Sequence, residues 1–421
     1  FYCKSVYFPV YLSNISCIII LKFQNKPKPE YISVKQRSAY MNTFETGTYR
    51  PPMHSFSLLL RVTENCPWNK CNFCMLYRGY QFKTRPLEDV LNDIDSMASI
   101  KERILSHTDS EGNFDMPAIN QEYFSLRTDK ERECYAMVFN WAANGNMEAI
   151  FLQDGNTMVL RTDKLLKIVE RIKEKFPELN IIASYGRADS LCSKSPDELK
   201  ALKNAGLNMI HSGFETCCNE TLNVINKGFT AEQELEAGLK LKDAGITINL
   251  FYMPGNGGEA LTEKNAADSA RVMKKINPEY IRIRTFMMKE GSPLYAMNSA
   301  GTFRNMTEDG KVKELRSFID MLDGCTSYVI SDHIINLLPY VEGYIDKSRK
   351  GILDYIDEYL ALDSTDKKRF QLARRIYYIN HWNDLDSLNA SQLSNIDYMI
   401  KNVPDGAPWE KLILSYASKL I

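Results

Sequence analysis

The run Phe56-Ser-Leu-Leu-Leu-Arg-Val-Thr63 leads after two residues into Cys66-Pro-Trp-Asn-Lys-Cys71-Asn-Phe-Cys74. The first stretch is short, apolar and free of glycine and proline, which reads as a strand. The second sets three cysteines within nine residues on the loop that this strand feeds. Three thiolates on one short loop suit three irons of a [4Fe–4S] cube and leave the fourth iron free for a small molecule. A closed structural zinc site is the other reading, and it wants a fourth nitrogen or sulfur ligand. The nearest upstream candidate is His54, at the head of the strand.

Working outward, the same strand-then-helix unit recurs. Residues 149–152, 179–183, 208–212, 246–251 and 280–286 read as five further strands, each apolar and short. Between them lie helical patterns. Leu165, Leu166, Val169 and Ile172 share one face of a helix over 163–175, which Pro177 closes. Ser195 as N-cap, Pro196 behind it and Gly206 past the end frame another. Thr230 with Gln233 forms a capping box for a helix stopping at Gly245. A further helix is expected at about 261–276, and the long stretch 87–146 reads as helical.

Strands that alternate with helices pair in parallel, because each helix carries the chain back to the same edge. The expected fold class is α/β, a partial (β/α)6 TIM-like barrel over 41–300 with a helical C-terminal extension over 301–421. Residues 1–40 begin at Phe1, lack clear periodicity and precede Met41. They are expected to be a leader or a non-native extension, poorly ordered.

Composition limits the function classes. Of 421 residues, 44% are apolar and 25% charged, which is ordinary globular usage. The formal charge of −1 supplies no global field for nucleic acid or an acidic membrane. No apolar run reaches the roughly 18 residues of a membrane span. Ten cysteines, mostly scattered singly outside the cluster, suggest a reducing, cytoplasmic setting.

The cluster loop resembles that of the radical SAM enzymes. Their mark is three cysteines after the first strand of a partial barrel, usually CxxxCxxC, with an aromatic before the third. Phe73 supplies the aromatic; the spacing differs, with four residues between Cys66 and Cys71. The resemblance covers about residues 55–300. It implies that Cys66, Cys71 and Cys74 ligate a [4Fe–4S] cluster and that S-adenosylmethionine (SAM) is the second cofactor. It further implies reductive cleavage of SAM to a 5′-deoxyadenosyl radical that abstracts hydrogen from substrate, under oxygen-free conditions.

Further correspondences fall where strands end. Gln153-Asp154-Gly155-Asn156 stands where the family has a Gly-Gly-Glu-like turn that holds the SAM amino group. Ser184-Tyr185-Gly186-Arg187 offers a hydroxyl and a guanidinium for ribose and carboxylate. Gly213-Phe214-Glu215 is similar to the family's Gly-x-Glu segment, with Lys227-Gly228 at the usual distance. Tyr252-Met-Pro-Gly255-Asn-Gly-Gly258 gives a glycine-rich mouth for the adenine. The cofactor-binding set expected from these is Phe73, Asp154, Gly155, Asn156, Ser184, Tyr185, Arg187, Glu215 and Arg284.

Arg282 and Arg284 alternate on the sixth strand and so share a face. Facing the lumen, they suit a carboxylate or phosphate; facing outward, they solvate the strand. Cys217-Cys218 reads as a pair of buried small residues, and His333 as a helical histidine in a packed interface. The cobalamin signature, a second N-terminal cysteine triad and a many-cysteine auxiliary domain are absent from the sequence. Expected partners are a small-molecule or peptide substrate and an electron donor such as flavodoxin or ferredoxin, with neither membrane nor nucleic acid. The alternative is a zinc or iron–sulfur binding protein on a barrel scaffold without SAM chemistry.

Overall fold

The computed structural model describes residues 43–47 and 54–420. The expectation for residues 1–40 lies outside the described residues. Strand β1 (Leu58–Arg61) is followed by a small clasp, β2 (Thr63–Glu64) paired antiparallel with β3 (Lys83–Thr84). The region expected to be one helical stretch is three helices, α1 (Leu87–Leu105), α2 (Met116–Ser125) and α3 (Asp129–Asn144). Side chains break it: Asp115 caps α2, and Thr128 with Glu131 forms a capping box for α3.

The barrel units then run β4 (Ala149–Gln153), α4 (Thr162–Lys175), β5 (Ile181–Tyr185), α5 (Ala188–Cys192), α6 (Pro196–Ala205), β6 (Met209–Glu215), α7 (Asn219–Val224), α8 (Ala231–Asp243), β7 (Thr247–Tyr252), α9 (Thr262–Ile276) and β8 (Tyr280–Ile283). After them come α10 (Pro293–Ser299), α11 (Glu308–Met321), β9 (Tyr328–Ile330), β10 (Gly343–Tyr344) and α12 to α15 (Ile345–Ala361, Ser364–Ile376, Ala390–Asn402 and Ala407–Ala417).

The sheet has eight strands in the order β1-β4-β5-β6-β7-β8-β9-β10. Pairing is parallel from β1 through β9, and β10 closes the edge antiparallel to β9. The α/β partial barrel is therefore present, with one more parallel strand than expected. The C-terminal region is helical but also contributes β9 and β10. Among the described residues, no helix is long and apolar enough to cross a membrane.

Side-chain alternation sorts the sheet into two cores. Leu58, Leu60, Ile150, Leu152, Ile281 and Ile283 point outward and pack under the helices. Leu165, Ile168, Val169 and Ile172 of α4 meet them at helical spacing, each contributing roughly 2 kcal/mol on burial. Leu59, Phe151, Ala183 and Met209 form a smaller cluster on the lumen face. The same alternation turns His211 toward Phe151 and Tyr185, and Arg282 inward as well, 2% exposed. The lumen reading of Arg282 and Arg284 thus holds for the strand. The lumen histidines and Asn249 are paired: His54 Nε2 lies 2.8 Å from His211 Nε2, and Asn249 Nδ2 lies 3.1 Å from His211 Nδ1.

Two strand boundaries differ from expectation for one reason. Ser184 and Tyr185 lie within β5, and Ser212 to Glu215 extend β6 across a register shift. Polar lumen residues hide the strand's end from an apolar-run reading. Strand β8 is shorter than expected, although Arg284 N still donates to Tyr252 O at 2.9 Å. His333 is not helical; it lies in the loop after β9.

Candidate functional site

The cysteine loop leaves the C-terminal end of β1 and is tied down at its base. Asp154 Oδ2, at the end of β4, accepts from Arg61 Nε and Nη2 at 3.1 and 3.0 Å and from Asn65 N at 2.9 Å. Asn65 adopts a φ of 68°, a left-handed conformation that asparagine tolerates. Inside the loop, Arg78 Nη2 donates to Cys71 O at 2.6 Å, and Asn69 Nδ2 donates to Tyr80 O at 2.9 Å.

Beneath it lies the segment that ends α7. Asn72 N donates to Ile225 O and Asn72 Nδ2 to Val224 O, each at 2.8 Å. Trp68 Nε1 donates to Asn226 O at 2.8 Å, and Asn226 Nδ2 returns a bond to Lys70 O at 2.9 Å. Four bonds across some 150 residues of sequence fix this loop as a lid on one platform. The sequence reading missed Trp68, Asn72, Arg78 and Asn226 in this role. Arg78, a base four residues beyond Cys74, was the one visible signal.

All three thiols are free, with Cys71 buried and Cys66 and Cys74 half-buried. Burial pushes the Cys71 thiol up, while the charges of Lys227 and Arg187 pull it back. Cys74 is likewise raised by burial, against a backbone bond from Leu76 and the charge of Lys227. Lys227 Nζ pairs with Glu215 Oε1 at 3.2 Å and sits over the rings of Phe73 and Phe229 at 5.6 and 5.7 Å. Burial lowers its pKa, but Glu215 and Cys71 outweigh that and hold it above the usual lysine value. The Arg187 guanidinium lies 4.9 Å from the Phe229 ring and 5.5 Å from Trp68, and donates to Lys227 O at 2.8 Å. At Cys71 and Cys74 burial outweighs these cations, so both thiols are held above the ordinary cysteine value.

The other expected residues divide. Gly155 abuts the loop: a Cβ there would lie 3.4 Å from Cys66 Cβ and 3.1 Å from the Tyr77 ring. Glu215 ends β6 with a φ of 69°, and its Oε2 is buried without a hydrogen-bond partner. A Cβ at Gly213 would meet Glu215 Oε1 at 2.6 Å, so the glycine makes room for that carboxylate. Phe73, Gly155, Arg187 and Glu215 therefore gather with the cysteines.

The side chains of Asp154, Asn156 and Ser184 are engaged internally. Asn156 bonds Ser190 and the Arg187 amide, and the Ser184 and Thr157 hydroxyls hydrogen-bond each other. Both are fully buried. Tyr185 and Arg284 lie on the lumen face, and the charges of Arg284 and Glu215 both act on the Tyr185 hydroxyl. Cys217 and Cys218 are buried, as expected of small core residues.

Residues 60–263 match the sequence model of the radical SAM superfamily. That stretch of the chain is a radical SAM domain. Among curated proteins it is 23% identical over 154 residues to the tRNA uridine(34) acetyltransferase of Methanocaldococcus infernus. That match covers 36% of this chain and 28% of the relative. The enzyme of the same name from Methanocaldococcus jannaschii is 25% identical over 33% of this chain and 27% of its own. The chain thus spans little more than a quarter of the length of these relatives. Among solved structures, methylornithine synthase superposes with a TM-score of 0.37 and 15% identity, over 79% of this chain and 85% of that one.

The superfamily implies a [4Fe–4S] cluster and SAM, and the residues present fit both. The donor set is three thiols without a fourth cysteine on the loop. Around one zinc, Zn–S bonds of about 2.3 Å would bring sulfurs within roughly 4 Å of one another. Among the described residues, the one triad of metal-type ligand atoms all within 4.8 Å is Cys218, Glu220 and Asp268, not the loop cysteines. Three thiols on one loop, with no fourth ligand beside them among the described residues, suit a cluster with one open iron better than a closed zinc site. The unpartnered Glu215 Oε2 suits a polar ligand beside it.

Proposed function

We propose that this protein is a radical SAM enzyme in which Cys66, Cys71 and Cys74 hold a [4Fe–4S] cluster and SAM binds beside it, at Gly155, Arg187 and Glu215. The observation that carries this reading is the convergence of three free thiols, two buried cations and a carboxylate with a bare oxygen at the C-terminal mouth of one barrel. Bound together, cluster and SAM supply a carbon-centred radical able to take hydrogen from an unactivated carbon.

The chain's own residues bind, orient and shield. Lys227 and Arg187 offset the negative charge of the thiolates. The free Glu215 Oε2 accepts from an ammonium, and Gly155 lets backbone approach closely. Asp154, Asn156 and Ser184 act through the backbone they brace, as positioning residues. The lumen wall of Phe151, Tyr185 and Phe251 excludes water from the reacting centre. A one-electron donor of the flavodoxin or ferredoxin kind completes the reaction.

The name of the archaeal relatives suggests a nucleic-acid substrate, but the match covers too little of those proteins for it to be carried over. The test is reconstitution of the full chain without oxygen, followed by SAM and dithionite, with iron, sulfide and 5′-deoxyadenosine measured on one sample. Cluster plus deoxyadenosine is the expected result. Zinc in place of iron, or a cluster with no SAM cleavage, would move the protein to the binding-scaffold class.

A further inference from the structure

The cysteine-loop site accounts for Lys227 and Arg187 but not for the cations deeper in the lumen. Arg282 is nearly fully buried; its Nη2 donates to Asp332 Oδ2, while its buried Nε makes no hydrogen bond. Arg284 follows on the same face, half-buried, and its guanidinium has neither an ion pair nor a hydrogen bond among the described residues. Two arginines against one aspartate leave a single excess positive charge. That charge sits on the half-buried Arg284, where an anion entering the lumen would meet a guanidinium with donors to spare.

The neighbouring strand supplies a third donor. Asp332 and His333 follow β9, which pairs with β8 so that Arg282 lies opposite Ile330. His333 Nδ1 accepts from Ile335 N at 3.2 Å. Burial and the charges of Arg284 and Arg282 hold the ring neutral, its pKa down to about 3. Its one proton therefore sits on Nε2, which has no described partner and is free to donate. The foremost cationic influences on Cys71 are Lys227 and Arg187, whereas Arg282 and Arg284 act on Tyr185 and His333. Tyr185 is within electrostatic reach of both groups, since the charge of Glu215 acts on it too.

We propose that Arg284 and His333 form a subsite for a carboxylate or phosphate of the substrate, with Asp332 orienting Arg282 behind them. The proposal rests on the radical SAM reading only in calling the anion's owner the substrate. It assigns the substrate class: a molecule or end group bearing one anionic head, held while a carbon further along lies beside the SAM site. A guanidinium and a neutral imidazole N–H match both oxyanions.

The test uses the full chain, reconstituted without oxygen, with inorganic phosphate and malonate as probes in titration calorimetry. Labelled SAM in equilibrium dialysis provides the second readout. Wild type should bind at least one probe saturably, and the stronger probe distinguishes phosphate from carboxylate. Arg284→Gln should weaken that binding about tenfold or more and His333→Gln about threefold, while SAM affinity stays within about threefold. Arg284→Lys, with melting curves for every variant, controls for folding and should retain part of the binding.

No saturable probe binding by wild type, or equal binding by Arg284→Gln, would overturn the subsite. So would displacement of SAM by the probe with parallel loss of both in Arg284→Gln, which would give the cations to the SAM carboxylate instead. Absence of SAM binding with the probe isotherm intact would count against the cofactor reading and leave the anion subsite standing.

Discussion

Gly228 lies so close under the Trp68 indole that a Cβ on it would stand 2.3 Å from the ring. Its φ of +83° already belongs to glycine. The glycine thus lets the cysteine loop lie flat on the platform that carries Lys227. In Gly228→Ala, strain and overlap together should cost about 1–3 kcal/mol, and the loop should lift. Reconstituted iron and sulfide per chain should fall well below wild type. Full loading with an unchanged melting midpoint would show that the contact does not set the loop.

Cys71 is the most buried of the three thiols and the one most directly under Lys227 and Arg187. Cys71→Ala should abolish iron loading and deoxyadenosine formation together. Cys325, buried in the main core, serves as the control. Cys325→Ala should lose about 1 kcal/mol of stability through its small cavity yet load iron normally. A full cluster in Cys71→Ala would refute the ligand assignment.

The fold was legible where burial and chain direction agree. Outward-facing residues such as Ile150, Leu152, Ile281 and Ile283 made apolar runs, and caps such as Ser195 marked helix starts. The lumen face was less visible, because Ser184, His211 and Asn249 are polar yet belong to strands. Strand β9 escaped because three residues, Tyr328–Ile330, carry no period, and its parallel partner β8 lies on the far side of α10 and α11 in the sequence.

At the site, the cysteines and Glu215 stood out through residue type and order. The internal bonds of Asn156 and Ser184 did not, since a hydroxyl near a strand end reads the same whether it faces a ligand or Thr157. Trp68 and Asn226 meet across 158 residues, which no local pattern encodes.

Asp154 joins three elements: Arg61 at the end of β1, Asn65 at the start of the loop, and its own place after β4. The Asp154 carboxylate is nearly inaccessible, and the other acid on Arg61, Glu45, is half-exposed. In Asp154→Asn, Arg61 keeps one exposed partner and loses the buried one. Stability should drop by about 2–4 kcal/mol, read as a lower urea midpoint at unchanged slope. A midpoint within experimental error of wild type would mean that Glu45 alone satisfies Arg61.

Glu215 separates SAM binding from cluster loading. Its Oε1 holds Lys227 while Oε2 has no partner. In Glu215→Gln the shape persists and the negative charge goes. Iron loading should stay near wild type, since the thiol ligands are untouched, and SAM affinity should fall about tenfold or more by equilibrium dialysis. Unchanged SAM affinity would move the ammonium-binding role elsewhere.

Glu314 gives the protein a pH-dependent support for the glycine-rich mouth. Its Oε1 accepts from Tyr252 Oη at 2.9 Å, Gly255 N at 3.2 Å and Asn265 Nδ2 at 2.6 Å. Burial drives its pKa up and these bonds draw it back, leaving it at about 7 against the usual 4.5. Between those values the folded chain holds a proton that the unfolded chain has released. This contribution is therefore complete below about pH 4.5, declines by about 1.4 kcal/mol per pH unit as pH rises, and is gone above about pH 7. Glu314→Gln keeps an oxygen for the three donors and cannot titrate. Wild-type stability minus that of the variant, from urea unfolding at pH 5, 6, 7 and 8, should fall between pH 5 and 7 and then level. Other groups titrate alike in both proteins and cancel in the difference. A difference flat from pH 5 to 8 would show that Glu314 is already ionised in the folded chain at pH 5.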